Sequence, residues 1–165
     1  MTPRPALQMI AALLALQIAA CERDATAPPP PATVAPVIEG PWRLESSATA
    51  GAALVFSDDE RVERLRLICR RIPAEFVVQA PDVVPIGSEE RFTLGFGEQL
   101  FTLVADVGSG LPFVEARAPP TPELVAALRS GAPVAANYGA TDLGPHPAPP
   151  ADLAEAFARD CAAEG

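Results

Sequence analysis

The sequence predicts a mainly β domain: a small antiparallel sandwich or barrel of seven or eight strands, with a short helix and a C-terminal helix packed on the sheet. Three observations carry that expectation. From Trp42 onward the apolar residues recur mostly with a period of two. Turn-forming residues break the pattern at the short intervals common in sandwiches and barrels. Only two windows, near 121–131 and 150–163, change to the helical period.

The elements follow in order. Trp42 and Leu44 alternate with Arg43 and Glu45, and Leu54 and Phe56 share one face of 52–56. Within 64–70, Leu65, Leu67 and Cys69 oppose Arg64, Arg66 and Arg70, with Ile68 an apolar intruder. Phe76 and Val78 alternate with Glu75, Val77 and Gln79. Phe92, Leu94 and Phe96 oppose Arg91, Thr93 and Gly95 in the cleanest strand pattern of the chain. Further strands are expected at 100–105, 111–117 and 134–138. Turns are expected at Ser57-Asp58-Asp59, Gly87-Ser88, Gly97-Glu98 and Gly108-Ser109-Gly110. A helix starts cleanly at Thr121, with Pro122 in its first turn and Glu123 beside the helix dipole, and Gly131 stops it. The last helix carries Leu153, Phe157 and Cys161 on one face, with Ala154 and Ala158 beside them. Between them LGPHPAPP (143–150), with four prolines, reads as a surface connection.

The chain has 165 residues, a formal charge of −9 and a pI near 4.5, and every basic residue is Arg. An apolar content of 49% is too high for a wholly disordered chain. The acidic balance argues against nucleic acid as a partner. A single histidine removes most His-based metal and acid–base chemistry.

Residues 1–20 have the layout of a secretory signal: Arg4, an apolar run from Ala6 to Ala20, and small residues at its end. The run would span about 22 Å as a helix, short of the ~30 Å hydrocarbon core. Ile18-Ala19-Ala20-Cys21 resembles the lipobox of bacterial lipoproteins, with Ile in place of the commoner Leu. That resemblance covers about 21 residues. It implies cleavage before Cys21, acylation of Cys21 and anchorage of an exported protein in a lipid bilayer, facing the periplasm. Glu22, where Asp often signals inner-membrane retention in that class, leans towards the outer membrane. Residues 21–41 then read as the lipidated Cys and a Pro-rich tether, extended as polyproline II around Pro28–Pro31, and 42–165 as the single globular domain. Without Arg4 the mature chain has 11 Arg against 21 acids, a formal −10.

With Cys21 acylated, Cys69 and Cys161 remain, an even number in an exported chain. The strand period turns the first inward and the helix period turns the second inward, so a disulfide between them is expected. No Cys-x-x-Cys supplies a redox motif.

Arg64, Arg66 and Arg70 project from one strand face as a candidate anion-binding ladder, against which stands a solvated face balanced by Glu60, Glu63 and acids of neighbouring strands. Asp58-Asp59-Glu60 and Glu89-Glu90 fall at expected hairpin turns, where acids are ordinary. His146 lies between prolines with no orienting group, and Ser109 lacks the nucleophile-elbow context. No catalytic residue, metal site or cofactor is therefore assigned. The seven phenylalanines fall in expected strands or helices, forming either one filled core or the lining of an apolar pocket.

The function expected is non-catalytic: an envelope lipoprotein presenting a disulfide-stapled β-domain to an unknown envelope protein, or in a structural role. The alternatives are an inhibitor of a periplasmic or exogenous hydrolase and a carrier of a hydrophobic ligand. A filled interior disfavours the carrier; a rigid protruding loop with convergent polar groups favours the inhibitor.

Overall fold

The computed structural model describes residues 41–47 and 49–162. The signal, Cys21 and nearly all of the tether lie outside them.

The described residues form a mainly β domain. Its strands are β1 (Trp42–Ser47), β2 (Gly51–Ser57), β3 (Glu63–Arg70), β4 (Glu75–Ala80), β5 (Arg91–Phe96), β6 (Gln99–Ala105), β7 (Val114–Ala118), β8 (Val134–Tyr138) and β9 (Thr141–His146). The short helix α1 (Pro122–Leu128) lies between β7 and β8, and α2 (Ala151–Ala162) follows β9. All ladders are antiparallel, in the order β1-β2-β3-β4-β7-β6-β5-β8-β9.

The alternation read from sequence fixes the register, because a slip of one residue would turn every apolar side chain outward. Leu54 sits opposite Leu67, Leu67 opposite Val78, and Val78 opposite Ala116, all buried on one inner face. The other half repeats this with Leu94 opposite Ala136 and Phe96 opposite Val134. The helices pack on that inner face. Leu124, Leu128, Phe157 and Ala158 join the strand residues in one hydrophobic cluster, and Phe157 meets Phe76 edge-on with ring centroids 6.4 Å apart. Thr121 caps α1 as expected: its Oγ1 accepts the Leu124 N–H at 3.3 Å.

Three readings need correction, and of the two architectures left open the closed one is excluded. The segment 143–150 is not all surface connection, since Thr141–His146 forms the ninth strand β9 against β8, with a register shift between Val134 and Ala136. Proline is tolerated there because β9 lies at the edge of the sheet, where an N–H facing outward is not needed by a neighbour. The sheet is open rather than closed, because β1 and β9 form no ladder with each other. The strand expected at 111–117 begins only at Val114, so Phe113 lies in the preceding turn. Glu89-Glu90 does not sit at a hairpin. Residues 81–90 cross from β4, which pairs with β3 and β7, to β5, which pairs with β6 and β8.

Side chains rather than backbone link the two open ends of the sheet. The Trp42 indole N–H donates to the Pro147 carbonyl at 2.7 Å. Trp42 packs on Phe56 (5.2 Å between centroids), and Phe56 stacks on His146 at 4.1 Å.

Candidate functional site

The expected disulfide is present. Cys69 of β3 and Cys161 of α2 are bonded, with Cα atoms 5.2 Å apart and both residues buried. It ties the last helix to the strand that sequence periodicity chose for it. Gly51 packs against the same spot, where an added Cβ would sit 1.9 Å from the Cys69 carbonyl oxygen.

The arginines of β3 are brought to one outer face, each engaged by carboxylates of the chain. Arg64 reaches Asp58 (Nη2–Oδ2 2.6 Å) and Asp82. Arg66 takes Glu63 at 2.8 Å and Glu45 at 2.8 Å. Arg70 meets Glu75 at 3.4 Å and Glu115 at 3.3 Å. Arg43, Arg117 and Gln79 extend the layer: Arg43 bonds Glu63 at 3.0 Å, and Gln79 and Arg117 both donate to Glu115. Hydrogen bonding from Arg66 holds the Glu63 carboxyl below its ordinary value against burial. Burial alone would raise Glu115, but Gln79, Arg117 and the Arg70 charge hold it down. Beneath the layer, Val55 and Val77 point outward and yet are fully buried. Long guanidinium side chains cover apolar surface with their stems while their heads stay wet. The ladder thus lies over Val55 and Val77, while a smaller trough of about 230 Å³ stays open beside it at Ala53, Arg66 and Ile68; an external anion would have to displace carboxylates already in place.

That cover ends at β7. Arg117 bonds Glu115 at 2.8 Å and Asp106 at 3.3 Å, and its cross-strand neighbour Val104 on β6 is 64% exposed. From there the outer face is bare. Across β6, β5 and β8 the outward rows are Leu100–Gly95–Ala135 and Thr102–Thr93–Asn137, with Val104 opposite Arg91 at one end. Leu100 is 70% exposed. Gly95 places no side chain between Leu100 and Ala135, and an added Cβ would meet the Leu100 Cδ2 at 3.1 Å. The result is a trough of about 370 Å³, walled by Leu100 on one side and by Asp142, Gly144 and Pro145 of β9 on the other.

The connection 81–90 is held at the core end of β8. Tyr138, fully buried at the end of β8, accepts the Ile86 N–H at 2.9 Å and offers its proton to the carbonyls of Glu89 (2.8 Å) and Ile86 (3.1 Å). Val83 is buried and its carbonyl accepts the Val114 N–H at 2.8 Å. So anchored, the connection leaves Val84 72% exposed and Ile86 42% exposed, with the Ile86 Cδ1 over Gly139. Neither this connection nor the bare face was singled out from sequence. The available signal was Gly95 and Gly97 on an outer face that also carries Leu100 and Val104.

His146 is not in a proline loop. It is the last residue of β9, with its ring on Phe56, and burial pushes its value down. Among the described residues its buried Nε2 has no hydrogen-bond partner, and no acid or nucleophile orients it. Ser109 is bound up in its own turn, its Oγ donating to the Asp106 carbonyl at 3.0 Å. Asp58 likewise organises the β2–β3 loop, accepting the N–H groups of Glu60 and Val62, which with Arg64 lowers its value. On the inner face, the space a carried ligand would need is filled by Leu124, Leu128 and Phe157.

Comparison with family models, with curated proteins and with solved structures returned no match for this chain.

Proposed function

We propose that this protein is a non-catalytic envelope lipoprotein, anchored through acylated Cys21, that engages a protein partner through the bare outer face of β6, β5 and β8. The observation that carries this reading is the contrast between the two halves of one sheet. Outward valines on β2 and β4 are sealed under an arginine–carboxylate layer, whereas Leu100 and Val104 are left to solvent beside an apolar trough. A trough floored by Gly95 and Ala135 beside an exposed Leu100, with the polar row Thr102–Thr93–Asn137 along it, has the mixed apolar and polar make-up of an interaction site. The lipobox resemblance at Ile18–Cys21 and the export-compatible disulfide support export and anchorage in the envelope.

The hydrolase-inhibitor reading is the second one, and it is favoured by the anchored connection 81–90 with Val84 and Ile86 at its surface. A preorganised loop binds with less ordering cost.

Photocrosslinking in the native envelope tests the proposal. A benzophenone side chain at position 100 should yield discrete protein adducts, and one at position 66 should not. Equal yields, or adducts only from position 66, would overturn it. Adducts from position 84 alone would favour the inhibitor.

A further inference from the structure

Resting on that reading, we infer that the trough between Leu100 and Pro145 takes an apolar side chain from a basic polypeptide segment of the partner. Charge and area on the page choose this occupant over two others. Of the residues on β5, β6 and β8, Arg91 alone is charged. Beside them stand Glu98, in the β5–β6 turn, and Asp142 on β9, both exposed and, among the described residues, engaged in no ion pair. The rim is therefore acidic on an acidic chain, and charged rims set partner choice and encounter rate. A second copy would bring the same carboxylates together. Three strands spaced ~4.8 Å apart and six residues long also present only a few hundred Å², well under the ~800 Å² per partner of a standard interface. An anionic bilayer surface would be repelled by the same rim.

The trough itself suits one or two aliphatic side chains. Its floor is Gly95 and Ala135, its wall is the flexible Leu100, and Asn137 is held by Asp142 through a 2.8 Å hydrogen bond, which leaves the carboxylate facing the rim. A segment that alternates apolar and basic residues in an extended form would place its apolar side chains in the trough and its cations over Glu98 and Asp142.

The test uses fluorescein-labelled peptides of about ten residues and the mature protein in detergent, read by fluorescence anisotropy. Three peptides are compared: alternating Leu/Lys, Leu/Glu and Ser/Lys. The Leu/Lys peptide should bind at least about tenfold tighter than either of the others. Gly95→Val, which fills the trough, and Leu100→Ser, which removes its wall, should each weaken that binding about tenfold without changing net charge. Glu123→Gln on α1 should leave it unchanged. Leu100 is exposed, so Leu100→Ser keeps the test informative if Gly95→Val disturbs the sheet.

Equal binding of Ser/Lys, or no effect of either trough variant, would overturn the inference, as would flotation of the protein domain with phosphatidylglycerol vesicles through this face. Dimerisation abolished by Gly95→Val would assign the trough to a second copy instead. Crosslinks from position 100 together with a failed peptide panel would refute the basic-apolar chemistry alone, whereas absence of those crosslinks would refute the functional reading on which it rests.

Discussion

The indole N–H of Trp42 donates to the Pro147 carbonyl at 2.7 Å, joining residues 105 positions apart where the sheet's two open ends approach. With the Phe56–His146 stack beside it, this bond does by side chains what a ladder would do in a closed barrel. Trp42→Phe should lower stability by about 1–3 kcal/mol, from the lost hydrogen bond and the volume left unfilled. A shifted urea midpoint with an unchanged slope would show it; no shift would deny the contact its role.

The same junction sets a pH dependence. Burial lowers His146, so the folded protein resists a proton that the unfolded chain accepts near 6.5. Stability is therefore full above that value and declines as pH falls below it. Asp58, Glu63 and Glu115 are lowered carboxylates; their contribution is present above the unfolded values of 3.8 and 4.5 and is lost as pH falls through the folded ones. Urea midpoints taken from pH 8 to pH 3 should show two separate declines. His146→Gln should flatten the upper one and leave the lower; a persistent upper decline would contradict the assignment.

Replacing both Cys69 and Cys161 with Ala should cost about 2–4 kcal/mol. Amide exchange should rise first over Ala151–Ala162, because the bond is the helix's only covalent tie to β3. Two titratable thiols in the denatured native protein would refute the bond itself.

The arginine layer is not uniform. Arg64→Gln, on an exposed pair screened by solvent, should leave the urea midpoint unchanged. Glu115, whose side chain is 4% exposed, is different. Glu115→Ala would leave Arg70, Arg117 and Gln79 facing a gap, at a cost of about 1–3 kcal/mol. Equal effects at the two positions would mean that burial does not grade this network.

Tyr138→Phe should cost about 1–3 kcal/mol and speed exchange at Ile86 and Glu89, since one hydroxyl serves three backbone groups of the connection. Unchanged exchange at those amides would show that the connection is held elsewhere.

How much of this was legible follows from what a local pattern can carry. The faces of β3 and β5 follow from periodicity, the cap at Thr121 from the residue types around it, and the pairing of Cys69 with Cys161 from periodicity together with the cysteine count, none of which needs knowledge of neighbours. Strand β9 was hidden because Gly144 and Pro145 break propensity locally, and only pairing with β8 at a sheet edge makes them tolerable. Val55 and Val77 read as outward residues and are outward; Val55 lies between Arg43 and Arg66 across the ladders and Val77 between Ile68 and Arg117, neighbours that sequence spacing does not show. The bare face was missed for the complementary reason. Leu100, Val104 and Gly95 become neighbours only through the β5–β6 register, and the order of strands in the sheet, with β7 inserted between β4 and β6, is not written in any one segment.

Hydrogen exchange on the lipid-anchored protein tests the central claim most directly, comparing it in native envelope membranes with the same protein purified in detergent. The account predicts that exchange slows in the envelope over Arg91–Ala105 and Val134–Tyr138, and stays the same over Arg43–Arg70. Slowing confined to Arg43–Arg70, or no difference anywhere between the two preparations, would contradict it.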